Sequence, residues 1–253
     1  MKTIPVAAQM YTLRNSMEKD YLEAFRQVAK IGYAGVEFGG PGPLSHKDFK
    51  KFLTDINLQP AGMHASIDVL EKGLERAADQ CQELGALNLG CAWMPEERRK
   101  TAADWNAVTK SLNSIGEKLD QRGITFFYHN HDFEFQKFDG QYALDLIFAK
   151  TDPRFVKAEI DTYWVQRGGE DPAAYMKKLP GRVHLLHCKD MAAGPEKKFA
   201  PVGTGVLNWK EIFNAAGPAG VQWYIVEQDN CYDVDPVESL RISFENMKKM
   251  GLA

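Results

Sequence analysis

The stretch FVKAEIDTYW, residues 155–164, opens as an apolar strand and closes on a carboxylate, Asp161. Glu159 stands two residues earlier and therefore on the same side of an extended chain. Like charges stacked in this way raise one pKa unless a cation intervenes, so a metal beside Asp161 or a lysine below Glu159 is expected. Three further apolar runs end in the same manner: ITFFYHN (124–130) at His129, RVHLLHCKD (182–190) at His187 and VQWYIVEQD (221–229) at Glu227. Nothing in strand formation requires a polar tip. In a barrel of parallel strands such tips converge, and imidazoles with carboxylates are the usual ligands of a catalytic divalent metal.

Outward from these runs the chain alternates strand-like and helical segments. PVAAQ precedes MEKDYLEAFRQVAKIG, where Tyr21, Leu22, Phe25, Val28 and Ala29 recur at helical spacing before Gly32. AGVEF precedes SHKDFKKFLTDIN, LQPAGMH precedes IDVLEKGLERAADQCQELG, and ALNLGCA precedes the helix within TAADWNAVTKSLNSIGEKLDQRG. The four polar-tipped runs are followed by helical QYALDLIFAK, EDPAAYMKKLP, NWKEIFNAAG and DPVESLRISFENMKKMG. Eight strand-helix units predict an α/β fold, a closed (β/α)8 TIM barrel that takes in residues 1–253 as one domain. An open doubly wound sheet is the poorer reading, because no glycine-rich phosphate turn follows the first strand.

The 253 residues are 44% hydrophobic, enough for a sizeable core, and 31 basic against 34 acidic residues give a formal charge of -3 with no long block of either sign. Nucleic acid is not expected as a partner, since phosphate binding needs a concentrated basic face. No apolar run approaches a membrane span, and MKTIPVAAQMYTLR turns polar too soon for a signal peptide. A cytoplasmic location is expected, or a periplasmic one where a leader has been removed, and homo-oligomers are compatible with this chain. Cys81, Cys91, Cys188 and Cys231 form no CxxC pair, and Cys188 within its apolar run reads as a buried thiol.

In a barrel the strand ends and the loops after them face one mouth. Glu227 follows four apolar residues, and a buried carboxylate there needs a salt bridge, a metal or a role as base. His184 and His187 face opposite sides of a strand, which makes His187 the better ligand and His184 a packing histidine. Lys189 shares a side with His187 and suits a developing oxyanion or a substrate hydroxyl, while Asp190 orients a histidine or caps the next loop. YHNHDFEF (128–135) offers a metal ligand, an acid or base and a substrate contact among His129, His131 and Glu134, and local sequence does not allot these roles. Tyr11, Glu37 and His64 are placed for substrate contact with Gln9 at the same mouth, and Trp93 with Trp164 suits an apolar wall for a sugar ring.

GYAGVEF (32–38), GMHAS (62–66), YHNH (128–131), EIDTYW (159–164), HLLHCKDM (184–191), FAPVGTGVLNW (199–209) and VEQD (226–229) span nearly the whole chain. Their order and spacing resemble the xylose-isomerase-like TIM-barrel superfamily of sugar (phosphate) isomerases and epimerases, which includes inosose dehydratase and 3-dehydroshikimate dehydratase branches. The resemblance implies a divalent metal (Mn, Mg, Co or Zn) at the mouth, with Asp161, His187 and Glu227 matching three of the family's ligands. The fourth, commonly the glutamate of a Glu-Asn-His sequence, falls on His129 of His129-Asn130-His131, and Gly203-Thr204-Gly205 stands where the family often has Gly-Glu-Gly.

The resemblance further implies removal of a proton next to the carbonyl of a small-molecule sugar or keto-polyol, with the ion stabilising the enediolate. The first expectation is a sugar isomerase or epimerase with Glu227 as base. A lyase that eliminates water or an aglycone is the second, with Glu227 or His129 as base and His131, His64 or Lys189 as acid. A metal-free sugar-binding protein is the third. A phosphorylated substrate is not required, for the basic candidates are only Arg14, Arg167 and Lys189, with no glycine-rich site among them.

Overall fold

Each expected apolar run becomes a short strand, because β-branched and aromatic side chains fit a pleated surface buried on both faces. The computed structural model describes residues 4–252. Its strands are β1 (Val6–Gln9), β2 (Gly35–Phe38), β3 (Gln59–Ala65), β4 (Asn88–Cys91), β5 (Thr125–His129), β6 (Val156–Asp161), β7 (Val183–Cys188) and β8 (Trp223–Val226). All neighbours pair in parallel, and β8 returns to β1 through Val6 opposite Tyr224, which closes the barrel as the sequence rhythm predicts.

Helices alternate with these strands: α1 (Tyr21–Ile31), α2 (His46–Asp55), α3 (Leu74–Leu84), α4 (Ala102–Asp120), α5 (Ala143–Lys150), α6 (Pro172–Lys177), α7 (Trp209–Ala219) and α8 (Pro236–Lys249). Six of the eight begin where a side chain takes up a free N–H: Asp20 accepts from Glu23, Ser45 from Asp48, and Thr101 with Asp104 forms a capping box, for example. In α1 the expected apolar stripe is seen, with Phe25 and Val28 fully buried and Tyr21, Leu22 and Ala29 packed at its margins. Among the described residues no helix is long and apolar enough to cross a membrane. The four cysteines are free and buried.

The core has two parts. A large one fills the space between barrel and helices, and a small one, Ala7, Ala61, Phe127, Leu185 and Ile225, plugs the barrel interior. Strand alternation then fixes what lies above that plug: two residues beyond Ala7, Phe127, Leu185 and Ile225 come Gln9, His129, His187 and Glu227. On β3 the pairing with β2 shifts between Pro60 and Gly62, so that Met63 joins the outer core and His64 reaches the mouth.

Phe127 fills the plug only because β4 leaves room for it. A Cβ on Gly90 would stand 1.9 Å from the Phe127 ring. Gly90→Ala is therefore expected to lower stability by about 1–3 kcal/mol through overpacking, read as a reduced urea midpoint at unchanged m-value.

Candidate active site

The tips of β6, β7 and β8 bring three potential ligands together. One atom from each of Asp161, His187 and Glu227 lies within 4.8 Å of the others. His187 Nδ1 is 3.2 Å from Glu227 Oε2 and 3.9 Å from Asp161 Oδ2, and His129 Nε2 approaches the same Asp161 oxygen at 4.0 Å. Lys189 projects its ammonium into this group, 3.1 Å from Asp161 Oδ2, 2.6 Å from Glu227 Oε2 and 2.7 Å from Asp229 Oδ1.

A second polar layer lies beneath. Glu37 and Glu159 are fully buried, and Glu37 Oε2 is met by Gln9 Nε2 at 2.7 Å and His187 Nε2 at 2.7 Å. His64 Nε2 lies 2.7 Å from Glu159 Oε2 and 3.1 Å from Glu37 Oε2. Among the described residues no lysine pairs with Glu159, one of the partners its position in the sequence suggested. The imidazoles of His64, His129 and His187, from three other strands, approach its carboxylate instead.

Local bonds hold the tips in place. Asn130 Oδ1 accepts from the Asp161 N–H at 3.0 Å and so ties the end of β5 to the end of β6. Asp161 Oδ1 also caps the short helix Thr162–Arg167 by accepting from the Trp164 N–H at 3.0 Å. Thr162 Oγ1 accepts from the Lys189 N–H at 3.0 Å and lies 2.8 Å from the Lys189 carbonyl, which fixes the residue carrying the ammonium. Asp190 caps its loop and does not orient a histidine: it accepts from the N–H groups of Met191, Gly203, Gly205 and Leu207 and from Trp209 Nε1. A Cβ on Gly205 would meet Asp190 Oδ1 at 2.3 Å, which accounts for the second glycine of Gly203-Thr204-Gly205.

Above the two layers opens a cavity of about 510 Å³. Its floor presents Gln9, His64, His129, Lys189, Glu227 and Asp229, and its sides Met10, Tyr11, Met17, Tyr21, Phe38, Trp93, His131 and Trp164. Trp93 and Trp164 line one side with His131 between them, the Trp93 ring meeting His131 edge-on at 4.9 Å and Trp164 lying 5.5 Å from it. Arg14 bonds the Tyr11 carbonyl and Arg167 pairs with Asp132, so neither of these basic candidates lines the cavity.

Burial sets the electrostatics. It would raise the Glu227 carboxyl, but Lys189 and His187 outweigh it and hold the group below the usual carboxylate range. Asp161 goes the other way, pushed up to about 6 because burial prevails over Lys189 and His187. Burial together with repulsion from His187 drops the His129 imidazole to about 3, and His131 is likewise driven well down, so both rings are neutral. Two carboxylates with one or two imidazoles suit Mn, Mg, Co or Zn, and Asp161 Oδ2, buried without a hydrogen-bond partner, is available to such an ion.

Two expected substrate contacts are corrected. Glu134 is fully buried and does not line the cavity; its oxygens accept from Tyr128 Oη at 2.7 Å and the His131 N–H at 2.8 Å, so it supports the wall from behind. Burial nevertheless lifts its carboxyl to about 8. Glu37 lies under the floor, held by His187, His64 and Gln9. His184 is half-buried and outside the site. Asp229, which the sequence reading passed over, is in the cavity; its spacing of two from Glu227 in the same run was the available signal.

The fold and its mouth define a (β/α)8 barrel with a converging acid and imidazole cluster. Residues 25–250 match the family described as xylose isomerase-like TIM barrel, and the chain belongs to that family. Inosose dehydratase from Lactiplantibacillus plantarum is 26% identical over 88% of this chain and 86% of its own length, and that from Geobacillus thermodenitrificans is 24% identical over 84% and 83%. The crystal structure of a sugar phosphate isomerase/epimerase from Parabacteroides distasonis has a TM-score of 0.85 at 26% identity, covering 98% of this chain and 94% of that one.

Removing the Asp190 carboxylate strands several buried N–H donors at once. Asp190→Ala is expected to cost more than about 3 kcal/mol and to loosen residues 199–209, measured by denaturant unfolding and by amide exchange in that loop.

Proposed function

We propose that this protein is a divalent-metal-dependent lyase that removes the proton α to the carbonyl of an uncharged keto sugar or keto-polyol and expels a β-oxygen substituent. One observation carries this reading. Glu227 stands at the cavity floor as an ionised carboxylate beside Lys189, whereas the β5 position where a second carboxylate base would stand holds His129, a buried neutral imidazole. Epimerisation needs a proton donor on each face of the planar intermediate. Elimination needs one base and one group at the departing oxygen.

Asp161, His187, Glu227 and His129 would hold the cation, which when bound polarises a carbonyl and acidifies the adjacent C–H. Glu227 receives the proton, and Lys189, charged and 2.6 Å away, keeps that carboxylate ionised beforehand. His131 lines the cavity next to Trp93, which suits its ring to hydrogen-bond the departing oxygen, and that oxygen leaves as water or an alcohol with the proton that Glu227 received.

The substrate is uncharged on this reading. Lys189 is the one cation among the described lining residues, and three carboxylates already surround it, which leaves nothing to bind a phosphate. Relatives named inosose dehydratase, which match more than four-fifths of the chain, support the dehydratase form of the reaction.

The test is a panel of keto-inositols, 3-keto-glycosides and their phosphorylated counterparts, incubated with Mn²⁺ or Co²⁺ in deuterated water. Water or aglycone loss with exchange at the α-carbon is expected, with phosphorylated compounds turned over no faster. Interconversion of intact epimers without elimination would instead support the isomerase, and no exchange with any compound would sink both. Glu227→Gln is expected to lower kcat by about 10²–10⁴-fold.

A further inference from the structure

The cavity has two unlike sides. Trp93, His131 and Trp164 follow β4, β5 and β6, whereas Met10, Tyr11, Met17 and Tyr21 come from the segment that joins β1 to α1 and Phe38 from the end of β2. In the closed order of eight strands β1 stands across from β5 and β2 from β6, so the two sides face each other over the floor. The second side contributes no charged lining residue. Its Tyr21 hydroxyl is already committed to the Gly40 carbonyl, and the Tyr11 ring is held by the Arg14 guanidinium 4.4 Å from its centroid. Gly42, at φ +61°, keeps the space that the Tyr21 ring needs, since a Cβ there would stand 2.5 Å from it.

Such a surface is a poor match for a polyol alone. Each ring carbon of a keto-inositol bears an oxygen, and a hydroxyl pressed against thioethers and aromatic carbons gives up water without gaining a partner. The polar groups that would receive a sugar are instead on the floor and at His131. Tyr11 at 52% and Trp93 at 49% exposure leave large apolar surface at both rims, which marks a place where apolar matter is covered. A cavity of 510 Å³ also falls among those of about 300–1,000 Å³ that enclose ligands of drug size, which a sugar carrying a second group fills better than a bare ring.

We infer that the side formed by Tyr11, Met17, Tyr21 and Phe38 is a subsite for an apolar substituent, and that the substrate is a keto-glycoside with an aryl or alkyl aglycone. The inference rests on the proposed elimination and names the group expelled. An anomeric oxygen is β to a carbonyl at position 3, and the proton between them, at position 2, is the one Glu227 receives. The carbon–carbon double bond forms as that proton departs, the bond from the anomeric carbon to its oxygen breaks, and the oxygen keeps the electron pair and takes up the proton. The products are an unsaturated keto sugar and an alcohol or phenol. A donor at a bridging oxygen meets its lone pairs, so both carbons on that oxygen point away from the donor. With His131 as donor on one side, the aglycone is directed towards the other. Water as leaving group needs no such surface.

The experiment separates binding from chemistry. Phenyl and methyl glucosides of both anomeric forms have no carbonyl and are held without reaction, so their affinities are measured by calorimetry with the full chain and Mn²⁺. The phenyl compound of one anomer is expected to bind about 10–100-fold more tightly than its methyl counterpart, from the apolar area it buries. Met17→Asn is expected to reduce that ratio at least about threefold. The 3-keto forms of the same glucosides and a keto-inositol are then incubated with Mn²⁺, and phenol, methanol or water loss is followed.

Faster release of phenol than of methanol, beyond the ratio in buffer alone, is expected from the wild type, with the preference reduced in the variant. Equal affinity for phenyl and methyl compounds, or no binding of either, overturns the subsite, and water loss from the keto-inositol would in that case leave the lyase standing. Tighter phenyl binding without release of any alcohol keeps the subsite and sinks the elimination. The wild-type ratio decides the matter even where the variant fails to fold.

Discussion

A carboxylate removed from water needs a cation or an N–H donor beside it, and the two polar layers at the mouth of this barrel hold four: Glu37, Glu159, Asp161 and Glu227. The rest of the site can be understood as the set of partners this demands. Lys189 extends from the end of β7 to serve the upper pair, and His64 and His187 serve the lower pair. Asn130 and Thr162 have no charge to contribute, yet they hold Asp161 and Lys189 where the partnership works.

The two layers meet that demand by different means. The upper one uses a long flexible ammonium together with Asp229 at the edge of the cavity, so its charge arrangement is open to whatever enters. The lower one uses short rigid rings packed against one another, with the His64 and His187 planes 24° apart and His129 to His187 centroids at 4.5 Å.

Much of this was legible in the chain because strand alternation is strict. The barrel, the tips at His129, Asp161, His187 and Glu227, and the aromatic wall of Trp93 and Trp164 all follow from runs whose period and length can be counted. Depth was harder. Glu37 looks like a mouth residue in a linear reading, but it lies with Glu159 one layer down, where barrel closure rather than local sequence sets their neighbours. Glu134 was misread because the chain leaves the strand after His129 and turns through Phe133–Phe135, which carries that carboxylate back beneath the wall. His64 enters the mouth only through the irregular pairing of β3 with β2, a feature that pattern alone does not encode.

The apolar plug beneath the polar layers bears on how such a sequence can vary. Phe127 occupies the volume that any side chain at position 90 would need, and the two residues lie opposite each other on paired strands. They act as one quantity shared between two codons. A chain of this fold with a larger residue at 90 has to carry a smaller one at 127, and drift at either site is closed until the other has moved.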